Sequence, residues 1–463
     1  MYMDQAIRAK SDARVCLDLG TAFSKACAYL GEGGDPAKDI APLPIGTAAQ
    51  AAHALLTPSA MYVDEGRILF GPAALERARV GVKSKRNPIV SFKMVLSARD
   101  VEAALALKLS RSVDPTSTLR HRDALVLYLA YLDQLIRAAI AAEPTLPPSL
   151  VDAPRRLTSP DWRAPRETER VVGDLADQSA LVSAKLGRLL LNPFGVTLAE
   201  AQDALREAQT KRAVGQFEGI VFEAHSAACA YATFACSPAR YVLILDMGAG
   251  TTDLVGFERV SDDLNAPQFS EIGDTRQCSL LAGDEIDNIL IDIFLRAGGN
   301  RGRDAQDELW RALRLSAAEL KRELFQRGKA TMKYEKRQIS VARDKLMKAP
   351  AFKAFCRGLE ETIVTSLRPI AVKAKRAGVK EIAVLLAGGG SNLPFLADLI
   401  RKVRIPGAKD VNLKVDRFFG SNWTLPHRHH PLGGMFPQMA IAMGGALAPL
   451  VEERAKATAQ TAW

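Results

Sequence analysis

Val15-Cys-Leu-Asp-Leu-Gly-Thr-Ala-Phe-Ser-Lys-Ala-Cys-Ala-Tyr-Leu30 and Tyr241-Val-Leu-Ile-Leu-Asp-Met-Gly-Ala-Gly-Thr-Thr-Asp-Leu-Val-Gly-Phe257 are two copies of one local pattern, more than two hundred residues apart. Each opens with a short apolar run, turns at Asp-x-Gly with a threonine close behind, and leaves through a second, mostly apolar run. That order predicts a strand, a tight polar turn and a returning strand. Its recurrence predicts two lobes of related construction.

The turns carry the chemistry. Phosphates are held by backbone N–H groups where no side chain obstructs approach, and glycine permits that approach. Asp18 and Asp246, at the ends of apolar strands and with no cation near them in the sequence pattern, are costly to bury unless something positive is bound between them. A hydrated magnesium ion suits that position, because it accepts carboxylates through its own waters. Thr21 and Thr251 add hydroxyls for phosphate oxygens or water, and Asp253 stands where it can polarise a water or support the metal's shell. One Asp-x-Gly-x-Thr alone is ordinary hairpin chemistry. Two copies, joined by a third glycine turn near residue 390, point to a nucleotide site.

Between the copies, 124–142 and 197–210 read as helices, separated by the proline-rich stretch 143–165, whose apolar stub Ser149-Leu-Val-Asp-Ala-Pro154 suggests a strand edge. Beyond the second copy, 285–295, 304–326 and 351–378 have helical periodicity. Glu381-Ile-Ala-Val-Leu-Leu-Ala387 reads as a buried strand entering Gly388-Gly389-Gly390-Ser391-Asn392, with a helix following.

Composition fits a large folded core: 463 residues, 48% hydrophobic and 25% charged. The +10 net charge is scattered, and its basic stretches lack the interleaved aromatics of a nucleic-acid platform, so no nucleic-acid partner is expected. The six cysteines have no CxxC spacing and suit buried positions in a reducing compartment. No secretory signal is evident at the polar N-terminus, and the most apolar segment, 124–142, carries Asp133 and Arg137 in its middle. A cytoplasmic protein without a membrane span is expected. His427, His429 and His430 sit in a polar loop with no second ligand cluster, and are read as solvated.

With these residues in hand, the chain resembles the actin-like ATPase superfamily and, within it, the nucleotide-binding domain of the DnaK-type heat-shock protein 70 family. Residues 18–24 are similar to that family's first phosphate loop and 246–253 to its second. Glu223-Ala-His-Ser-Ala-Ala-Cys-Ala-Tyr231 resembles the first connecting helix, 386–394 the adenosine motif and 440–448 the second connecting helix. Thr57-Pro-Ser-Ala with Gly66-Arg-Ile-Leu-Phe-Gly-Pro-Ala-Ala74 is similar to the early hairpin, and 87–97 to the segment bearing the catalytic lysine. Ala282-Gly-Asp-Glu-Ile-Asp287 resembles the Gly-Gly-x-x-Phe-Asp turn.

The resemblance implies an α/β, two-lobed actin-like ATPase fold with duplicated ribonuclease-H-like domains and a nucleotide cleft between them. Its layout is a flexible tail at 1–14, lobe one at 15–238 with a helical insertion around 155–216, lobe two at 239–423, a return to lobe one at 424–455 and a tail at 456–463. It implies ATP or ADP with magnesium, the metal held by Asp18 and Asp246 through water. Catalytic roles fall on Lys93, Glu223, Asp246, Thr251 and Asp253. Nucleotide contacts fall on Asp18, Gly20, Thr21, Ala22 and Phe23; on Gly248, Ala249, Gly250, Thr251 and Thr252; on Gly283, Asp284 and Glu285; on Lys321 and Arg322; on Gly388, Gly389, Gly390, Ser391 and Asn392; and on Gln438.

The sequence departs from the family pattern at Phe325, where a small hydroxyl residue is usual, at Gln438, near an expected acid, and at Ala22-Phe23, which replace a polar pair. From the short stretch after Ala448, neither the family's interdomain linker nor its client-binding domain is expected. The function expected is a chaperone-like ATPase acting as a nucleotide-driven switch on a protein partner whose identity is open, with self-association possible. A filament-forming actin-like ATPase, a small-molecule kinase of the superfamily and a weakly hydrolysing nucleotide scaffold are the alternatives.

Overall fold

The computed structural model describes residues 13–31, 35, 37–46, 54–160, 165–211, 216–261, 268–299, 302–335, 337–417, 432 and 434–448. The tail before residue 13, the histidine loop at 427–430 and the segment 449–463 lie outside the described residues. Arg14, expected at the end of the tail, already pairs with Tyr29 in the first hairpin.

Lobe one is built on strands β1 (Arg14–Asp18), β2 (Phe23–Tyr29) and β3 (Ile40–Leu43), with β4 (Thr57–Pro58) pairing to β2. A smaller sheet follows, from β5 (Ala60–Asp64), β6 (Arg67–Phe70) and β7 (Ile89–Val90), completed by a later strand, Val196–Thr197, against β6, with α1 (Gly71–Val80) against it; a short 3-10 segment, Phe92–Ser97, carries Lys93. Then come α2 (Val101–Ala106), α3 (His121–Ala142), β8 (Arg155–Ser159), α4 (Pro165–Leu186), β9 (Val196–Thr197), α5 (Leu198–Thr210), β10 (Phe217–Phe222) and α6 (Glu223–Phe234).

Lobe two opens with β11 (Tyr241–Met247) and β12 (Thr252–Arg259), joined by β13 (Phe269–Glu271) and β14 (Gln277–Ser279). It continues through α7 (Gly283–Ala297), α8 (Arg303–Arg327), the hairpin β15 (Lys329–Tyr334) and β16 (Arg337–Ala342), α9 (Arg343–Lys348), α10 (Pro350–Arg376), β17 (Glu381–Ala387), α11 (Pro394–Lys402) and β18 (Asn412–Arg417). Helix α12 (Phe436–Gly445) then packs back on α6.

The duplication read from the two turns is present in the sheets. The large sheets run β10-β8-β1-β2-β3 and β18-β17-β11-β12-β13. In both, the central strand pairs antiparallel with the strand that follows it and parallel with a strand that returns later in the chain. Such parallel returns need a helical crossover, which α3 supplies in one lobe and α10 in the other. This is the α/β actin-like ATPase architecture.

Helices α6 and α12 lie between the two sheets. One apolar cluster contains Ala227, Tyr231 and Phe234 of α6, Phe436, Met439 and Met443 of α12, and inward-facing residues of both sheets, Cys16 and Cys27 on one side and Ile244, Val255 and Leu385 on the other. The lobes thus meet on a shared pair of helices. Those helices approach closely at Gly444, where a Cβ would collide with the backbone carbonyl of Ser226.

Two expectations need correction. The stub before residue 155 is a 3-10 turn over Pro148–Asp152, and the strand starts only at Arg155, where pairing with β1 and β10 is available. Within 155–216, Arg155–Ser159 is a sheet strand rather than helix, and α4 and α5 lie between it and the strand Phe217–Phe222.

Candidate active site

Both Asp-x-Gly turns sit at the carboxyl ends of central strands, on the side where the lobes face each other. In the first hairpin the register sets Asp18 opposite Lys25; in the second it sets Asp246 opposite Asp253. Opposed residues of an antiparallel pair share a face, so each turn presents two charged side chains: a carboxylate with an ammonium in lobe one, two carboxylates in lobe two.

Lys25 was missed by sequence reasoning, which found no cation for Asp18. Its Nζ lies 2.6 Å from Asp18 Oδ2, and both side chains are almost wholly buried. Thr158 of β8 donates to the other oxygen, Oδ1, at 3.0 Å. Burial pushes the Asp18 carboxyl up, but Lys25 and Lys93 outweigh it and hold the group below its ordinary value. A seven-residue step from Asp18 to Lys25, matching the step from Asp246 to Asp253, was the signal available: once the hairpin is inferred, it places the lysine across from the aspartate.

Lys93 is buried, and its Nζ donates to Glu223 Oε1. Burial lowers the basicity of Lys93, while Glu223, then Asp18, raise it further, so it stays protonated. Glu223 begins α6, and burial raises its carboxyl despite the neighbouring ammonium. Asp246 is raised well above the ordinary aspartate value, first by burial, then by Glu223 and Asp253. Electrostatics thus couples Asp18, Glu223, Asp246 and Asp253 with Lys25 and Lys93 across the two turns.

Around these groups the backbone is held closely. Gly388 has φ +76°, and a Cβ there would come within 2.6 Å of the Met247 carbonyl oxygen and run into Asp246 Oδ1. A Cβ on Gly250 would meet Met94 Sδ at 2.9 Å and Thr21 at 3.2 Å, so the two turns and the lysine-bearing segment touch. Gly248 N–H donates to the Thr251 carbonyl at 2.9 Å, Asp284 N–H to the Ala249 carbonyl at 2.7 Å, and the Thr252 hydroxyl to the Leu281 carbonyl at 2.8 Å. The first turn is braced by Ser59, whose hydroxyl donates to the Gly20 carbonyl at 2.7 Å; Ser24 joins Ser59 to Tyr128, on whose ring Phe92 stacks.

The residues expected at the base and ribose fall into two groups. Ser391 donates to the Gly388 carbonyl at 2.7 Å inside the glycine turn, Asn392 is exposed beyond it, and Gln438 of α12 lies beside Gly389. Lys321 Nζ donates to the Gly283 carbonyl and to Asp287 Oδ2, both at 2.9 Å, which ties α8 to the Gly283–Asp284 turn. Arg322 and Glu285 are exposed, as is Ala22, whereas Thr21, Phe23 and Gly20 are half-buried. Phe325 is buried against Phe395, within a ring cluster that includes Phe352 and Phe355.

Residues 203–416 match the family model described as Hsp70 protein. Over this stretch, just under half of the chain, the protein is similar to the Hsp70 family. It spans Glu223, the second phosphate turn, α8 and the glycine turn, while Asp18 and Lys93 precede it. The Hsp70 family is an ATPase family that binds ATP or ADP with magnesium and works with partner proteins. The residues present fit such an ion held through its own waters: Asp246 Oδ1 is buried with no hydrogen-bond partner among the described residues. One described helix, α3, is long and apolar enough to cross a membrane, and 67% of its apolar window is buried inside the fold.

Proposed function

We propose that the chain binds ATP between its lobes and hydrolyses it to ADP and phosphate, serving as a nucleotide-driven switch on a protein partner in the cytoplasm. The observation that carries this is the meeting of Lys93–Glu223 with Asp18, Asp246 and Asp253 between two matched turns. In this reading the backbone of Gly20–Thr21 and of 248–252 receives the phosphates, the glycine turn at 388–392 with Gln438 flanks the nucleoside, and Gly283–Glu285 with Lys321 and Arg322 close the lobe-two wall.

Lys93 sets a positive charge against the transferring phosphoryl group, where it stabilises the charge that develops. Asp253, Glu223 and Thr251 orient water. Magnesium, when bound beside Asp18 and Asp246, supplies charge neutralisation of the phosphates. Lys25 holds Asp18 ionised and keeps it from swinging toward the phosphates.

Phosphate release without any added acceptor, measured with ATP and magnesium, tests the reading, and Lys93→Ala is expected to lower it by at least about a hundredfold. ATP with magnesium is expected to raise the melting temperature; indifference of the fold to both would overturn nucleotide binding itself. The burial of Phe325 in the ring cluster, where the resemblance leads one to expect a small hydroxyl residue, favours a second reading, a nucleotide-binding scaffold with slow turnover. Tight ATP binding with negligible phosphate release would select it.

A further inference from the structure

Helix α6 starts with Glu223, and Phe222 before it and His225 after it each reach one member of a paired Arg276–Glu271 couple in lobe two. Phe222, which precedes the helix, lies under the Arg276 guanidinium, 5.3 Å from ring centroid to cation. His225, buried at 2% exposure, places Nε2 2.9 Å from Glu271 Oε2, and its ring meets Phe257 edge-on at 5.3 Å. Arg276 donates to both oxygens of Glu271, Nη2 to Oε2 at 2.6 Å and Nε to Oε1. Burial pushes the Glu271 carboxyl up, but Arg276 and His225 overcome it and hold it down at about 2, so the carboxylate is charged.

Residues two apart on a helix point about 200° apart. Glu223 and His225 accordingly leave opposite sides of the first turn, one toward Lys93 in lobe one, the other toward β13 in lobe two. The first turn of α6 has no side-chain cap of its own. Its position is set by what grips it from each side.

We infer that His225, Glu271 and Arg276 form a positioning unit that clamps the start of α6 to lobe two and so fixes Glu223, and through it Lys93, against Asp246 and Asp253. A shift of β13 relative to α6 then moves the Lys93–Glu223 pair out of register with the lobe-two carboxylates. None of the three needs to touch nucleotide. The inference rests on the ATPase reading only for its kinetic consequence; the clamp itself is testable without nucleotide.

Glu271→Gln and His225→Leu are expected each to lower kcat for ATP about tenfold while KM stays within about twofold, and the double variant to fall no further than either single. His225→Gln, which keeps a hydrogen-bonding group of similar reach, should recover most of the loss. In nucleotide-free protein, the backbone amides of residues 226–229 should exchange with solvent at least about tenfold faster in Glu271→Gln, with α10 unaffected. Unchanged kcat in a folded variant, losses that multiply in the double, or unchanged exchange at 226–229 would each overturn the clamp. If wild-type protein releases no phosphate, it is the ATPase reading that fails, and the exchange measurement alone decides the clamp.

Discussion

At equivalent registers of the two duplicated hairpins, Lys25 faces Asp18 and Asp253 faces Asp246. The difference of two charge units makes the carboxylates behave oppositely. Asp18, held below its ordinary value of 3.8, contributes stability that is present above that value and lost as pH falls through its lower folded value. Asp246, raised above 3.8, binds its proton more tightly folded than unfolded, so ligand-free stability falls as pH rises from 3.8 through the raised value. Asp246→Asn should therefore stabilise the ligand-free protein at neutral pH by on the order of 1–2 kcal/mol and flatten that slope, while removing the added stability from ATP with magnesium. Denaturant titrations across pH check both. Lys25→Met strands a buried carboxylate and should cost about 3 kcal/mol, most of it recovered in the double variant with Asp18→Asn. Were the single variant as stable as wild type, the pair would be incidental.

Helices α6 and α12 give the elements their arrangement. Each is rich in alanine, and α12 ends in Gly444-Gly445, so the two backbones approach within the space of a missing side chain. Cys16 fits under Gly445 in the same way. Gly444→Ala must push α12 away from the Ser226 carbonyl, and through the α12–α6 contact it loosens the platform on which Glu223 stands. The expected outcome is a loss of at least about 2 kcal/mol with a lowered melting temperature. Gly389→Ala, whose nearest neighbour is Gln438 Nε2 at 3.9 Å, is the control and should leave stability within about 1 kcal/mol.

For the whole molecule, the lobes also meet across the far side of the cleft. Arg79 pairs with Glu319 at 2.7 Å, Lys85 with Asp304 at 3.0 Å, and Arg311 donates to the Val82 carbonyl at 3.1 Å, while Leu315 of α8 packs on the Ala74 and Ala78 side of α1. These ion pairs are exposed, and each contributes well under about 1 kcal/mol. Opening of the cleft is therefore not locked. Fluorescent nucleotide should leave about fivefold faster from a Glu319→Ala, Asp304→Ala double variant, and wild-type release should quicken with added salt. A release rate insensitive to both would mean that opening is governed at α6 and α12 instead.

The two turns, their glycines and the strand runs around them were legible in the sequence because local rules decide them: apolar runs bounded by Asp-x-Gly form hairpins almost regardless of context, and a duplicated hairpin implies a duplicated sheet. The glycine turn at 388–392 was legible as a strand entering consecutive glycines, whereas Lys93 and Glu223 were found by resemblance, as residue types at family positions. What the sequence alone left unread depends on distance in space. Arg155–Ser159 looks like the edge of a helical insertion until β1 and β10 are placed on either side of it. Phe325 reads as a departure beside a base until its ring is found among Phe352, Phe355 and Phe395, and His225 reads as one residue of an alanine-rich helix until lobe two brings Glu271 and Arg276 to it. Tertiary structure decided these because burial and charge pairing are long-range: a side chain's chemistry is set by neighbours that lie tens of residues away along the chain. The same is true of the site itself, where Asp18 takes its charge state from Lys25 across its own hairpin and from Lys93, and Asp246 takes its own from burial and from Glu223 of the other lobe.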